Sequence, residues 1–176
     1  MIHASSFWKD DLLKLANKLE RRLIQTRWSE KSFFAVEKEI FLGFYSIRKL
    51  IESNKVSKSV AQKMYKIHEF PSQGKLELIT NNFKSEQYDF NRAREAKISI
   101  ALLCNQFIHS HYFLPFFPTG KSLLGFFICS DHRKKTGIYL ITIFDIVSIY
   151  RLVGNNYPNN YRAMRHANGK TSTHVE

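Results

Sequence analysis

Asn105 and His109 lie four residues apart, a spacing that in a helix places them one above the other on the same face. A histidine with a pKa near neutrality can take up or return a proton, and a carboxamide can orient a phosphate or the imidazole itself. The chemistry this pair suggests is metal-independent action on a phosphodiester, with His109 as general base or acid and Asn105 as the orienting group. A phosphate also calls for a fixed cation. Arg48, Arg92 and Arg94 are the candidates. Arg94 lies about 16 Å along the helix axis from Asn105, so Arg48, near the edge of a wide apolar face on the neighbouring helix, is the arginine expected to complete the set. The competing account is structural: Asn105 and His109 are buried polar residues bonded within the core, and Arg48 extends to water along its aliphatic stem.

Other chemistries fit less well. Cys129 and His132 offer one ligand pair with Asp131 between them, but no second pair stands at zinc spacing. His109 and His111 are two residues apart, which on a helix aims them in different directions. Gly120-Lys121-Ser122 has the ending of a phosphate-binding loop, yet Pro115 stands in the place of its first glycine and a strand pattern follows. No metal and no cofactor is expected.

The segment Cys104-Asn105-Gln106-Phe107-Ile108-His109 resembles the signature of the HEPN domain. There an arginine, a polar residue and, after a short gap, a histidine lie on one helix of a helical bundle. The resemblance implies a ribonuclease that needs no metal, a site at a homodimer interface, and a role in prokaryotic defence. Members that have lost catalysis serve as interaction modules. Here Cys104 occupies the arginine's place, and a thiol supplies neither the permanent charge nor the planar fork that grips phosphate. That departure favours the interaction module over the enzyme.

Charge points to an anionic partner. Lys and Arg number 27 against 15 Asp and Glu, a net charge of +12. The partner expected is nucleic acid, RNA before DNA, with or without a larger protein assembly. Lys121 starts a predicted hairpin whose tip carries Arg133, Lys134 and Lys135, and Arg162 and Arg165 lie in the tail with Tyr157 and Tyr161. Such mixtures of cations and aromatics can hold a phosphate backbone and stack bases. The rival reading is a solvated loop and tail. Two cysteines make no disulfide scaffold, the N-terminus has no apolar signal core, and no apolar run has membrane length; a cytoplasmic location is expected.

The elements that must position these residues follow from periodicity. Apolar spacing predicts a first helix from Ser5 or Ser6 to about Trp28, and a second capped by Ser29 that ends near Ser53-Asn54, the two forming an antiparallel hairpin. Met64–Phe70 and Lys75–Thr80 flank Pro71-Ser72-Gln73-Gly74 and predict a β-hairpin. A third helix is expected from Asp89 or Asn91 to Leu114, followed by an irregular connection through Pro115 and Pro118. Ser122–Ser130 and Gly137–Thr142 predict a second hairpin. Thr142 with Asp145 predicts a capped last helix through Val153. The fold class is therefore α+β: a helix hairpin and a central helix packed with a small antiparallel sheet of two hairpins. Residues 1–154 form one domain and 155–176 a flexible basic tail. The function this supports is a small nucleic-acid-associated accessory module, the alternative being a HEPN-type ribonuclease using His109.

Overall fold

The computed structural model describes residues 2–74, 83–118 and 120–159, and the backbone of 161–165 and 171–175. Helix α1 (Ser5–Arg22) starts after Ala4 without a side-chain cap and stops well short of Trp28. Trp28 itself explains the early stop. Its indole N–H donates to the carbonyls of Gln25 (3.2 Å) and Lys121 (3.1 Å), which turns the chain away from the helix axis. Helix α2 (Glu30–Glu52) begins where expected, because Ser29 and Ser32 each accept the other's backbone N–H. Its buried stripe is Val36, Ile40, Phe44, Ile47 and Leu50.

After the short α3 (Lys58–Ala61), the strands are β1 (Met64–Pro71), β2 (Arg94–Ser99), β3 (Ser110–Phe116), β4 (Gly125–Ser130) and β5 (Gly137–Thr142). They form one antiparallel sheet in the order β2-β1-β5-β4-β3. Helix α4 (Ile100–Ile108) joins β2 to β3, and α5 (Ile143–Gly154) follows β5 under the expected Thr142–Asp145 capping box. The protein is thus α+β. Strand β1 is where the sequence placed it, but it pairs with β2 on one side and β5 on the other. Its expected partner, Lys75–Thr80, lies outside the described residues.

The long third helix is corrected most. Residues 94–99 and 110–116 are strands, which leaves α4 only nine residues. In Arg94-Glu95-Ala96-Lys97-Ile98-Ser99, good helix formers also alternate polar with apolar, and pairing along β1 outweighs their local preference. Ser99 then starts the helix, its Oγ accepting the N–H of Leu102 at 3.2 Å. The segment expected to be irregular becomes edge strand β3, an edge position being where a sheet tolerates proline, here Pro115. Within the expected tail, β6 (Tyr161–Arg165) and β7 (Thr171–Val175) pair as a separate two-stranded ladder.

The helices cover one face of the sheet. Their shared core runs from Leu12 and Leu19 through Phe44, Phe107 and Tyr150 to Ile67, Ile98, Phe126, Ile128 and Ile141 on the strands. Phe44 and Phe107 stack at 3.9 Å, fixing α2 against α4. On the other face a smaller cluster of Phe70, Tyr112, Cys129 and Ile138 lies beneath Phe83, Tyr88 and Phe90. Lys9 closes the helix layer. Its buried ammonium donates to the Asn156 carbonyl and sits 4.1 Å from the centre of the Tyr157 ring, while the Asn156 side chain binds Ser57. Burial, and then the charge of Lys55, lower the Lys9 pKa.

Candidate functional site

Arg48 and Asn105 come together between two helices. Arg48 on α2 donates a hydrogen bond to the Asn105 carboxamide oxygen on α4. Its Nε also pairs with Glu52 one turn along, at 2.7 Å. Arg48, Ile51, Glu52, Ala101, Cys104 and Asn105 line a cleft of about 220 Å³ between the two helices. Hydrogen bonds from Arg48 and then Lys49 hold the Glu52 carboxyl below its ordinary range. The guanidinium therefore faces an ionised carboxylate and a carboxamide, and a phosphate entering the cleft would compete with Glu52 for it.

Cys104 lies behind this pair and is almost wholly buried. Burial pushes its thiol up from 9.0 to about 12, and the nearby Arg48 charge only partly opposes this. It is an uncharged core side chain at physiological pH. The linkage has a testable sign. The folded thiol stays protonated at pH values where the unfolded one ionises, so its contribution to stability is complete below pH 9 and is lost as pH rises toward about 12. Urea unfolding should show the midpoint falling between pH 8 and 10.5, with at most about 2 kcal/mol from this group, and falling less in Cys104→Ala.

His109 does not join the cleft. It is the residue at which α4 ends, with φ −109° and ψ 28°, and its side chain is exposed. Among the described residues, no side-chain hydrogen bond links it to Asn105 or Arg48. Its carbonyl accepts from the Asp131 N–H (3.2 Å), so it belongs to the end of the sheet where β4 turns into β5. His111 is also there, 3.5 Å from Asp131. The expected buried Asn–His pair is thus divided between a half-buried Asn105 and an exposed His109.

The expected basic positions are scattered. Lys121 precedes β4 at one end, whereas Arg133, Lys134 and Lys135 follow it at the other, with the six residues Gly125–Ser130, about 20 Å of strand, between. Arg133 is occupied: it pairs with Glu69 and lies 4.0 Å from the Tyr139 ring centre. Lys134 pairs with Asp131 at 2.6 Å. Lys121 and Lys135 are exposed. Arg162 and Arg165 fall on β6, whose side chains lie outside the described residues.

A stronger concentration of charge, not anticipated above, lies along β1 and the edge strand β2. Lys63, Lys66, Arg92, Arg94 and Lys97 are all exposed there, with Glu95 among them. Lys66 stands directly opposite Lys97 in the ladder, a like-charge pair that opposes sheet formation. Lys66 is 3.2 Å from Glu95, an exposed and therefore weak pairing. Glu69, opposite Arg94, is already held by Arg133. The cluster Arg92-Ala93-Arg94-Glu95-Ala96-Lys97 is visible in the sequence, but its partners Lys63 and Lys66 are about 30 residues upstream and join it only through strand register.

No family model, no curated protein and no solved structure matches the chain. Among the described residues, no group of three or more His, Cys, Asp or Glu is arranged to hold a metal ion, and no helix is long and apolar enough to cross a membrane.

Proposed function

We propose that this protein is a nucleic-acid-associated module, binding single-stranded RNA in preference to duplex DNA, that works without catalysis of its own inside a larger assembly. The observation that carries this reading is the β1–β2 edge. Lys63, Lys66, Arg92, Arg94 and Lys97 are all exposed along it. Lys66 and Lys97 share one face of the ladder with Glu95, and Arg94 stands opposite Glu69 on the other. A sheet edge can be protected from unwanted pairing by one or two charges. The Lys66–Lys97 opposition goes further, because it weakens the ladder and is relieved when an anion lies across it. Phosphates about one nucleotide apart along a flexible strand suit such a row better than a rigid duplex does.

The test is a titration of a labelled single-stranded RNA and a labelled duplex DNA at two or more salt concentrations. Engagement of the whole edge would give log affinity against log salt a slope of about −3.5 for single strands, at about −0.7 per contact. Absence of binding at low salt would end the reading.

The Arg48–Asn105 contact favours a second reading, a metal-independent ribonuclease with His109 as the proton-transfer group. It would need His109 to approach the cleft. RNA cleavage in EDTA that is lost in His109→Ala would establish the enzyme; unchanged RNA in both preparations leaves the binding module.

A further inference from the structure

The outer surface of the α1–α2 hairpin is apolar where two packed helices normally show water a polar face. Phe7 is 71% exposed, Trp8 36%, Leu42 49% and Tyr45 45%. Phe7, Trp8, Leu15 and Leu42 line a groove of about 420 Å³ between the helices, together with Asp11, Lys14, Lys18 and Ser46. Contiguous exposed aromatic and aliphatic side chains bounded by charge are the mark of a protein interface.

We propose that this groove receives an amphipathic helix of a partner protein, with an apolar face flanked by acidic residues. Charge selects that occupant. Lys14 and Lys18 stand on the α1 wall, and Lys38 and Lys49 share the α2 face that carries Leu42, four residues before it and seven after. Lys14 is neutralised by Asp11 at 3.0 Å and Lys49 by Glu52 at 2.9 Å. Lys18 and Lys38 have no ion pair among the described residues. The floor thus presents apolar side chains while the rim keeps a surplus of amines, the complement of a Leu- and Phe-faced helix edged with Glu and Asp. A second copy of this chain would bring another +12 against the same rim, which disfavours self-association. The site is separate from the β1–β2 edge, so it stands or falls independently of nucleic-acid binding.

Fluorescence anisotropy of two labelled 18-residue designed peptides tests this with the full chain. Both carry the same Leu/Phe face; one has Glu and the other Lys on its flanks. The acidic peptide should bind at least tenfold tighter than the basic one, and more weakly as salt rises. Leu42→Glu, at a half-exposed position that the core does not use, should reduce that affinity at least tenfold while circular dichroism and the melting temperature stay as in the parent. Lys66→Ala/Lys97→Ala should leave it unchanged. The proposal is overturned by equal affinity for both peptides, by no binding of either, or by indifference to Leu42→Glu. It is also overturned if sedimentation shows a dimer that Leu42→Glu dissolves, or if Leu42→Glu weakens single-stranded RNA or anionic vesicle binding instead.

Discussion

Lys66→Ala/Lys97→Ala should weaken single-stranded RNA binding about 25-fold at 0.1 M salt and make the salt slope shallower by about 1.4. Both figures come from one relation. Each single-strand phosphate contact contributes about 0.7 to the slope, so at a tenth of molar salt one contact corresponds to about a fivefold gain in affinity. Two lost contacts multiply. The folded state should not suffer, because the substitutions remove a like-charge opposition between directly paired strand positions. Lys121→Ala, before β4 and two strands across the sheet from β1, should leave affinity and slope as they were. If Lys121 carried the effect and the β1–β2 pair did not, the interface would lie on the β4 side of the sheet.

Local signals were readable in the sequence, and the register-dependent ones were not. Ser29 and Thr142 announce helices by their capping geometry, and both caps form. Gly125–Ser130 and Gly137–Thr142 form strands within or at their expected limits, because β-branched and aromatic residues between turn residues leave little choice. Residues 94–99 were different. Arg, Glu, Ala and Lys favour a helix locally, and only the presence of β1 alongside makes their alternation decisive. Once that strand is misread, the opposition of Lys66 to Lys97 is invisible, since it exists only across the ladder. Arg48 was reached by distance, since Arg94 lies too far along the chain from Asn105, and Arg48 does contact Asn105 across the two helices. Its companion His109 was lost because α4 ends at that residue and the chain turns into β3.

These features together explain why a catalytic-looking signature can sit in a structural helix. Phe107 and Leu103 are fully buried, and the face of α4 that carries Cys104 is fixed against α2 by the Phe44–Phe107 stack. With a buried neutral thiol at position 104 and Glu52 on the only guanidinium of the cleft, the arrangement secures α2 to α4 more readily than it binds a phosphate. Of the exposed cations, Arg94 and Lys97 lie on the strand that leads into α4, one element away, and Lys66 stands opposite Lys97 on β1.

Gly43→Ala should be the most damaging small substitution in the helix layer, at about 3 kcal/mol, or a fall of about 6–12 °C in melting temperature for a chain of this length. A Cβ at Gly43 would fall inside the ring of Tyr150, with Cζ and the hydroxyl oxygen as its nearest neighbours. Tyr150 has no room to retreat. It is completely buried, its hydroxyl donates to the Ile40 carbonyl at 2.7 Å, and its ring meets Phe44 edge-on at 5.4 Å. The added methyl must push α2 off α5 or break that hydrogen bond. Tyr150→Leu alone should also cost about 3 kcal/mol, through lost ring burial and the loss of its hydrogen bond to the Ile40 carbonyl. The two changes share one volume, so the double variant should be less destabilised than their sum by at least about 1 kcal/mol. Strict additivity in urea unfolding would mean that the helices do not meet at Gly43. The β1–β2 edge contributes nothing to this contact, so RNA affinity per folded molecule should be the same in all three variants. Peptide binding in the α1–α2 groove should fall in Gly43→Ala, because Leu42 and Ser46 are carried by the same displaced helix.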